Sequence, residues 1–286
     1  MGLTPPQDQP DQPGADERGA GSDPGPAPPD PPEPPGPPGK LDRLDEPDLV
    51  RMLKLLRERH GRSRRCGVVC THGLSPAEAA RLCARLPRPP TVRRPLHPLL
   101  SSQPGPLARP QRLLVADYAQ KDAAVATVGD WAAGLLPARL VASLEGALDE
   151  LLLNALYDAP RGPLGTPRYR DLTPAQRAAL PAVPGEHAEI RWAADKSRVV
   201  FAVRDRFGAL RGTTVLDYLS RCAEAQLNRT SPLERKPSGS GIGLFLVATA
   251  ATELLFRLRR STLTEIVFSL ARDRPRPLRA LVLDEE

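Results

Sequence analysis

The sequence predicts a two-layer α/β (α+β) sandwich: a mixed, mostly antiparallel sheet covered by helices on one face and preceded by a disordered proline-rich tail. Alternating polarity is the first observation. Ile190 and Trp192 interleave with Glu189 and Arg191, and Ile266, Phe268 and Leu270 with Glu265, Val267 and Ser269. Such a period of two marks strands with one covered and one wetter face. The second observation is that helical patterns lie between these strands without a repeating strand–helix unit, which favours a sandwich over a doubly wound parallel sheet. The third is proline placement. Of 35 prolines, 14 fall in the first 40 residues beside seven glycines. Such a stretch has almost nothing to bury and cannot offset the entropy of ordering it.

In chain order, residues 1–45 are read as that acidic Pro/Gly-rich tail. Residues 48–65 follow as a basic amphipathic helix with Leu49, Met52, Leu53 and Leu56 on one stripe. It suits a packing or dimer-forming helix better than a membrane-surface one, and leaves a homodimer open. A short apolar strand over 66–71 and a helix over 75–86, capped by Ser75 with Glu78 at the third position, complete a segment (46–86) of unassigned role. Residues 87–110 carry eight prolines and are read as a linker. The main domain spans 111–273, with a strand over 112–116 and helices over 121–136 and 138–159. A proline-rich insertion with a short helix over 173–180 leads to a hairpin (188–194 and 198–204, turning at Asp195-Lys196). A helix over 242–256 and a strand over 264–270 follow, and 274–286 is a C-terminal tail.

Composition excludes several classes. Glycine has no three-residue period, so collagen is out. The longest weakly polar run, 242–256, is interrupted by Thr249, Thr252 and Glu253 and is shorter than the ~20 apolar residues of a membrane span. No early apolar run resembles a signal peptide, so a cytoplasmic location is expected. The formal net charge is +6; the first 40 residues hold seven acids and two bases, leaving +11 on the remainder. Arginine supplies 35 of the 40 basic residues, while isoleucine occurs three times and asparagine twice. That skew resembles GC-rich coding, and nucleic acid is not the expected partner. Cys66, Cys70, His72 and Cys83 lack the spacing of a zinc ribbon or finger and read as buried reduced thiols with a metal site as the alternative.

Three segments carry chemistry. On the 138–159 helix, leucines cover most of the circumference, yet Glu150 and Asn154 stand i,i+4 apart on one edge with Ser143 and Ala147. Either each polar group has a protein partner or that edge opens onto a ligand. In Val203-Arg204-Asp205-Arg206-Phe207-Gly208, a hydrophobic strand ends in a carboxylate, with a glycine three residues on to allow a sharp turn. Such a carboxylate can accept from a ligand amino group, or simply close a strand-to-loop exit. Finally, Gly239-Ser240-Gly241-Ile242-Gly243-Leu244 opens a helix, where bare backbone N–H groups and the helix dipole suit phosphate. The spacing is not that of a dinucleotide fingerprint, and no βαβ unit surrounds it.

Glu-x-x-x-Asn-Ala on a helix, an Asp and Gly after a strand, and Gly-x-Gly-x-Gly-Leu opening a helix, in that order, resemble the GHKL superfamily. This is the ATP-binding (Bergerat) fold of gyrase B subunits, the heat-shock 90 chaperone, histidine kinases and MutL. The resemblance covers residues 111–273. It implies Glu150 as general base or water-orienting residue and Asn154 as a Mg²⁺ ligand. Asp205 would accept from the adenine amino group, with Gly208 shaping the turn and Thr264 on the adenine side. Gly239, Gly241, Gly243 and Leu244 would pass the phosphates to the helix, and Lys236 or Arg235 would reach the γ-phosphate from a lid over 210–238. Asp-Arg-Phe-Gly-Ala replaces the family's Asp-x-Gly-x-Gly, and Tyr157-Asp158 stand where many histidine kinases carry a basic residue.

None of His60, His72, His97 and His187 has the sequence context of a phosphoacceptor histidine, and there is no room for the transducer domains of gyrase or the chaperone. Among the family's members, the chain is most similar to histidine-kinase catalytic domains and anti-sigma serine kinases. The resemblance therefore implies ATP and Mg²⁺ as cofactors and phosphotransfer to a protein partner in two-component-like signalling. The alternative is a non-catalytic ATP-sensing module whose lid controls a partner.

Overall fold

The computed structural model describes residues 41–44 (backbone only), 48–70, 74, 110–162, 165–169, 171–228 and 243–286. Residues 1–40 and 45 of the tail, the 75–86 helix, most of the linker, His72, Cys83, Arg235, Lys236, Gly239 and Gly241 lie outside them. Residues 41–44, read as the end of the tail, instead form a strand paired with the one over 65–70. Eight strands form one sheet: β1 (Leu41–Leu44), β2 (Arg65–Cys70), β3 (Gln111–Val115), β4 (Ala188–Ala194), β5 (Arg198–Asp205), β6 (Glu253–Arg259), β7 (Leu263–Ala271) and β8 (Ala280–Glu285). Their order is β1-β2-β8-β6-β7-β5-β4-β3. Only β1–β2 and β6–β8 are parallel; the other neighbours run antiparallel. The expected mixed, mostly antiparallel sheet is what the chain forms.

The helices are α1 (Leu49–His60), α2 (Tyr118–Ala133), α3 (Ala138–Leu153), α4 (Pro174–Ala178), α5 (Gly212–Leu227) and α6 (Gly243–Ala250). α1 begins where Asp48 accepts from the Val50 and Arg51 amides at 2.9 and 3.2 Å, and ends with Arg57, Arg59 and His60 favouring the carbonyl end of the dipole. Pro174 and a Thr173/Gln176 capping box start α4. One apolar cluster joins Leu53 and Leu56 of α1, Val128 of α2, Leu148 of α3, Leu219 of α5 and Val247 of α6 to Trp192, Phe201, Phe256 and Phe268 of the sheet. All five longer helices therefore share a core with the same sheet face. None of the described helices is long and apolar enough to cross a membrane.

Two expectations need correction. Residues 242–256 are not one helix: α6 stops at Ala250, and Glu253–Arg259 is β6. Leu254, Phe256 and Leu258 turn to the helix-covered core while Glu253, Arg257 and Arg259 face the other way, a period of two that the shorter α6 run masks. The sheet also extends beyond 111–273 at both ends. β8 comes from the segment read as a C-terminal tail and lies between β6 and β2.

The second sheet face is not uniformly wetter. Val69, Val200, Ala202, Leu255, Val267 and Val282 form a second buried cluster, against which Leu74 packs. On the same strands, acids and arginines pair across neighbours. Glu189 takes Arg112 at 2.7 Å together with Arg191, Glu265 takes Arg257 at 2.8 Å, and Asp284 takes Arg65 at 3.2 Å and Arg259 at 3.0 Å. Burial pushes the Glu189 carboxyl up, but Arg191 and Arg112 outweigh it and hold it below the usual carboxylate range. Arginines that looked like surplus charge are thus partly committed within the sheet.

Candidate functional site

α3 buries Leu144, Leu148, Leu151 and Leu152, and that packing fixes its rotation. Glu150 is consequently carried under cover, 9 % exposed, toward α6. Contact is direct: a Cβ on Gly243, the first residue of α6, would stand 2.3 Å from the Glu150 Cβ and 2.4 Å from its Cγ. A turn away, Gly146 faces Leu246. The carboxylate and the helix start, 93 positions apart in sequence, are thereby brought together. Gly243→Ala is expected to push α6 off α3 and cost ~1–3 kcal/mol, measured by urea unfolding; unchanged stability would mean the two helices do not pack this closely.

Asn154 is half-buried and stands where α3 changes geometry. The last turn, Asn154–Asp158, is π-helical, with the Ala159 amide donating to the Asn154 carbonyl at 2.8 Å. Widened turns of this kind are frequent at functional positions. The turn is held from outside by Arg177, whose side chain is 2 % exposed. Its guanidinium lies 5.4 Å from the Tyr157 ring centroid and donates to the Asp158 carboxylate and the Tyr169 carbonyl, each at 3.3 Å. Neither the π-turn nor Arg177 was foreseen. The proline-rich insertion gave no signal beyond its short helix.

At the far end of β5, Asp205 is 5 % exposed and pairs directly with Thr264 of β7. Its Oδ1 accepts from the Phe207 amide at 2.8 Å and the Gly208 amide at 3.1 Å. Burial pushes the carboxyl above its ordinary value, against those amides and Thr264, which pull it down. The Thr264 hydroxyl is itself buried and closes no hydrogen bond of good geometry. Gly208, at φ +56°, turns the chain at this point. Leu244 is half-buried against the main core.

Two pairings therefore exist, Glu150 with Gly243 and Asp205 with Thr264, and α3 and its π-turn rest on β5. The lid expected over 210–238 begins as α5, a four-turn helix whose Leu216 and Leu219 are in the core. α5 also brings in Tyr218, which sequence reasoning passed over; a phenol on the buried side of an amphipathic helix was the available signal. Cys66 and Cys70 are buried thiols on β2 outside any disulfide, and the Cys66 Sγ donates to the Leu56 carbonyl at 3.9 Å. Among the described residues, no cluster of three or more His, Cys, Asp or Glu could hold a metal. Comparison with protein-family models and with curated proteins finds no match to this chain.

Proposed function

We propose that the chain is an ATP-binding signalling protein of the GHKL type that uses Mg-ATP to phosphorylate a hydroxyl on a protein partner. The observation that carries the reading is the contact between Glu150 and Gly243, which puts a buried carboxylate at the start of a helix whose preceding residues are glycine-rich. A helix start offers free N–H donors and a positive dipole end, the requirement for phosphate.

The residues present fit both cofactors. Asn154 offers a carboxamide oxygen, the hard donor that Mg²⁺ prefers beside phosphate oxygens. When bound, Mg²⁺ would neutralise charge on the phosphates. The Gly243 end of α6 would cradle them, and Asp205 would accept from the base amino group through Oδ2, because Oδ1 already serves Phe207 and Gly208. Glu150 would take the proton of the partner's hydroxyl as its oxygen attacks the γ-phosphorus and the bond to ADP breaks. A general base of this kind contributes ~10²–10⁴ in rate.

Asn154→Asp tests the reading. Titration of the wild type with Mg-ATP should give heat and a thermal upshift, and the variant should lose at least tenfold in affinity. No response from the wild type, or an unaffected variant, would refute the assignment. The ATP-sensing alternative is favoured by Asp158, a carboxylate one turn beyond Asn154 that opposes a triphosphate, although Arg177 offsets part of its charge. Single-turnover assays with labelled ATP and candidate partners separate the two: transfer supports the kinase, and binding without transfer supports the sensor.

A further inference from the structure

Tyr218 occupies α5 one turn after Val215 and one turn before Cys222, beside Leu219, all three buried. Its ring packs on the main core. Its hydroxyl is buried and closes no hydrogen bond of good geometry, its polar neighbour being the weakly hydrogen-bonding Cys222 thiol. A buried hydroxyl so poorly paired is costly, and a chain that retains one needs a reason to do so. The surroundings supply the reason. α5 packs against α6, and the first residue of α6 touches Glu150.

We propose that the Tyr218 hydroxyl donates a hydrogen bond to a terminal phosphate oxygen of the nucleotide bound beside Glu150 and Gly243. The inference rests on the ATP-binding reading and adds to that site a residue outside the glycine, asparagine and aspartate segments. Burial, the neighbouring Cys222 thiol and the charge of Glu150 all push the phenol's pKa well up. The group therefore keeps its proton at neutral pH and can donate. A donor is what this position needs, because a carboxylate beside a phosphate repels it, and an O–H aimed at the phosphate offsets that repulsion. The adenine end is served by Asp205 on a different element.

Tyr218→Phe deletes only the hydroxyl oxygen and keeps the ring in place. Three measurements on the full chain suffice: melting temperature without ligand, affinity for the Mg²⁺ complex of the imido analogue of ATP, and affinity for ADP. The variant should melt at or above the wild-type temperature, because a poorly paired polar atom has been removed. It should bind the triphosphate analogue tenfold or more weakly, the worth of a charge-assisted hydrogen bond, and ADP within twofold of wild type. A fall of several degrees in melting temperature would show that the hydroxyl has a structural partner and overturn the proposal. So would unchanged affinity for the analogue, or equal weakening for analogue and ADP. If the wild type binds neither nucleotide, the ATP-binding reading falls and takes this inference with it. If the wild type binds and the variant binds equally, only the role of Tyr218 falls.

Discussion

Gly208→Ala should lower stability by about 2–5 kcal/mol. Two independent costs meet at this position. Gly208 has φ +56°, where a side chain costs about 1–2 kcal/mol through its Cβ. An added Cβ would also lie 2.0 Å from the Arg259 carbonyl oxygen, 2.6 Å from the Thr262 nitrogen and 2.7 Å from the Leu263 nitrogen. All three are backbone atoms of the β6–β7 turn, so no side-chain rotation relieves the clash, and overpacking adds about 1–3 kcal/mol. That turn is anchored on Gly208, whose carbonyl accepts from the Ser261 amide at 3.2 Å. In a domain of this size the melting temperature should fall roughly 4–20 °C. Gly185→Ala is the control: φ is +82°, but nothing lies within 4 Å of the added Cβ. It should cost only the backbone strain, about 1 kcal/mol. Equal effects at the two positions would mean that the close approach at Gly208 is absent. The consequence extends to the candidate site, since the Gly208 amide holds Oδ1 of Asp205.

How much of this was legible follows from where the information resides. β4 and β7 carry alternation strong enough to fix them within a residue, because each has one parity facing the helices and polar or charged residues on the other. β5 is instead an unbroken apolar run, fixed as the return strand of a hairpin by the turn at Asp195-Lys196. β6 carries the same alternation, yet it follows α6 after only Ala251 and Thr252, and the joined apolar run reads as one helix. β8 is ALVLDE after a proline-containing segment; six residues at a chain end do not declare a strand until β2 and β6 flank it. The buried centre of the second sheet face was hidden for a related reason. Val267 and Val282 stand at positions where alternation predicts water, and only the middle of a wide sheet makes both parities buried.

The candidate site divides in the same way. Residue types and spacing singled out Glu150, Asn154, Asp205 and Gly243 as positions of interest, since each sets a polar or backbone-exposing residue where leucines and valines otherwise run. That Gly243 lies against the Glu150 side chain is a fact of helix packing that spacing cannot contain. Arg177 was illegible because its neighbours are remote in sequence: an arginine in a proline-rich insertion reads as surface until it covers Tyr157. A tyrosine on an apolar stripe such as Tyr218 reads as ordinary core until its buried hydroxyl is seen to close no hydrogen bond of good geometry.

The second large effect is expected where α1, α5 and β8 meet. The Glu285 carboxylate accepts from His60 Nε2 at 2.6 Å, from Arg64 at 3.2 Å and from the Gly212 amide that opens α5. The His60 and Glu285 side chains are 4 % and 10 % exposed, and a Cβ on Gly212 would stand 2.7 Å from both. Glu285→Ala leaves a buried imidazole and a helix-opening N–H without their acceptor, a loss of about 3–5 kcal/mol. Burial pushes the Glu285 carboxyl up, but His60, the Gly212 amide and Arg64 outweigh it and hold it below its usual 4.5. A carboxylate whose folded pKa is depressed contributes stability above its unfolded value and loses it as pH falls through the folded value. The wild type should therefore lose stability below about pH 4.5 more steeply than Glu285→Gln, which cannot titrate there. Urea midpoints from pH 6 to pH 3 read this directly; parallel curves for the two proteins would remove Glu285 from the acid response. A double-mutant cycle of His60→Ala with Glu285→Ala then isolates the pair, and a coupling below about 0.5 kcal/mol would show that the two side chains act independently. The cluster matters beyond stability because it fixes the first residue of α5. Tyr218 lies six residues along that helix, so on the proposed ATP-binding reading loosening Glu285 should weaken that binding in the same direction as Tyr218→Phe, without a direct contact to the ligand.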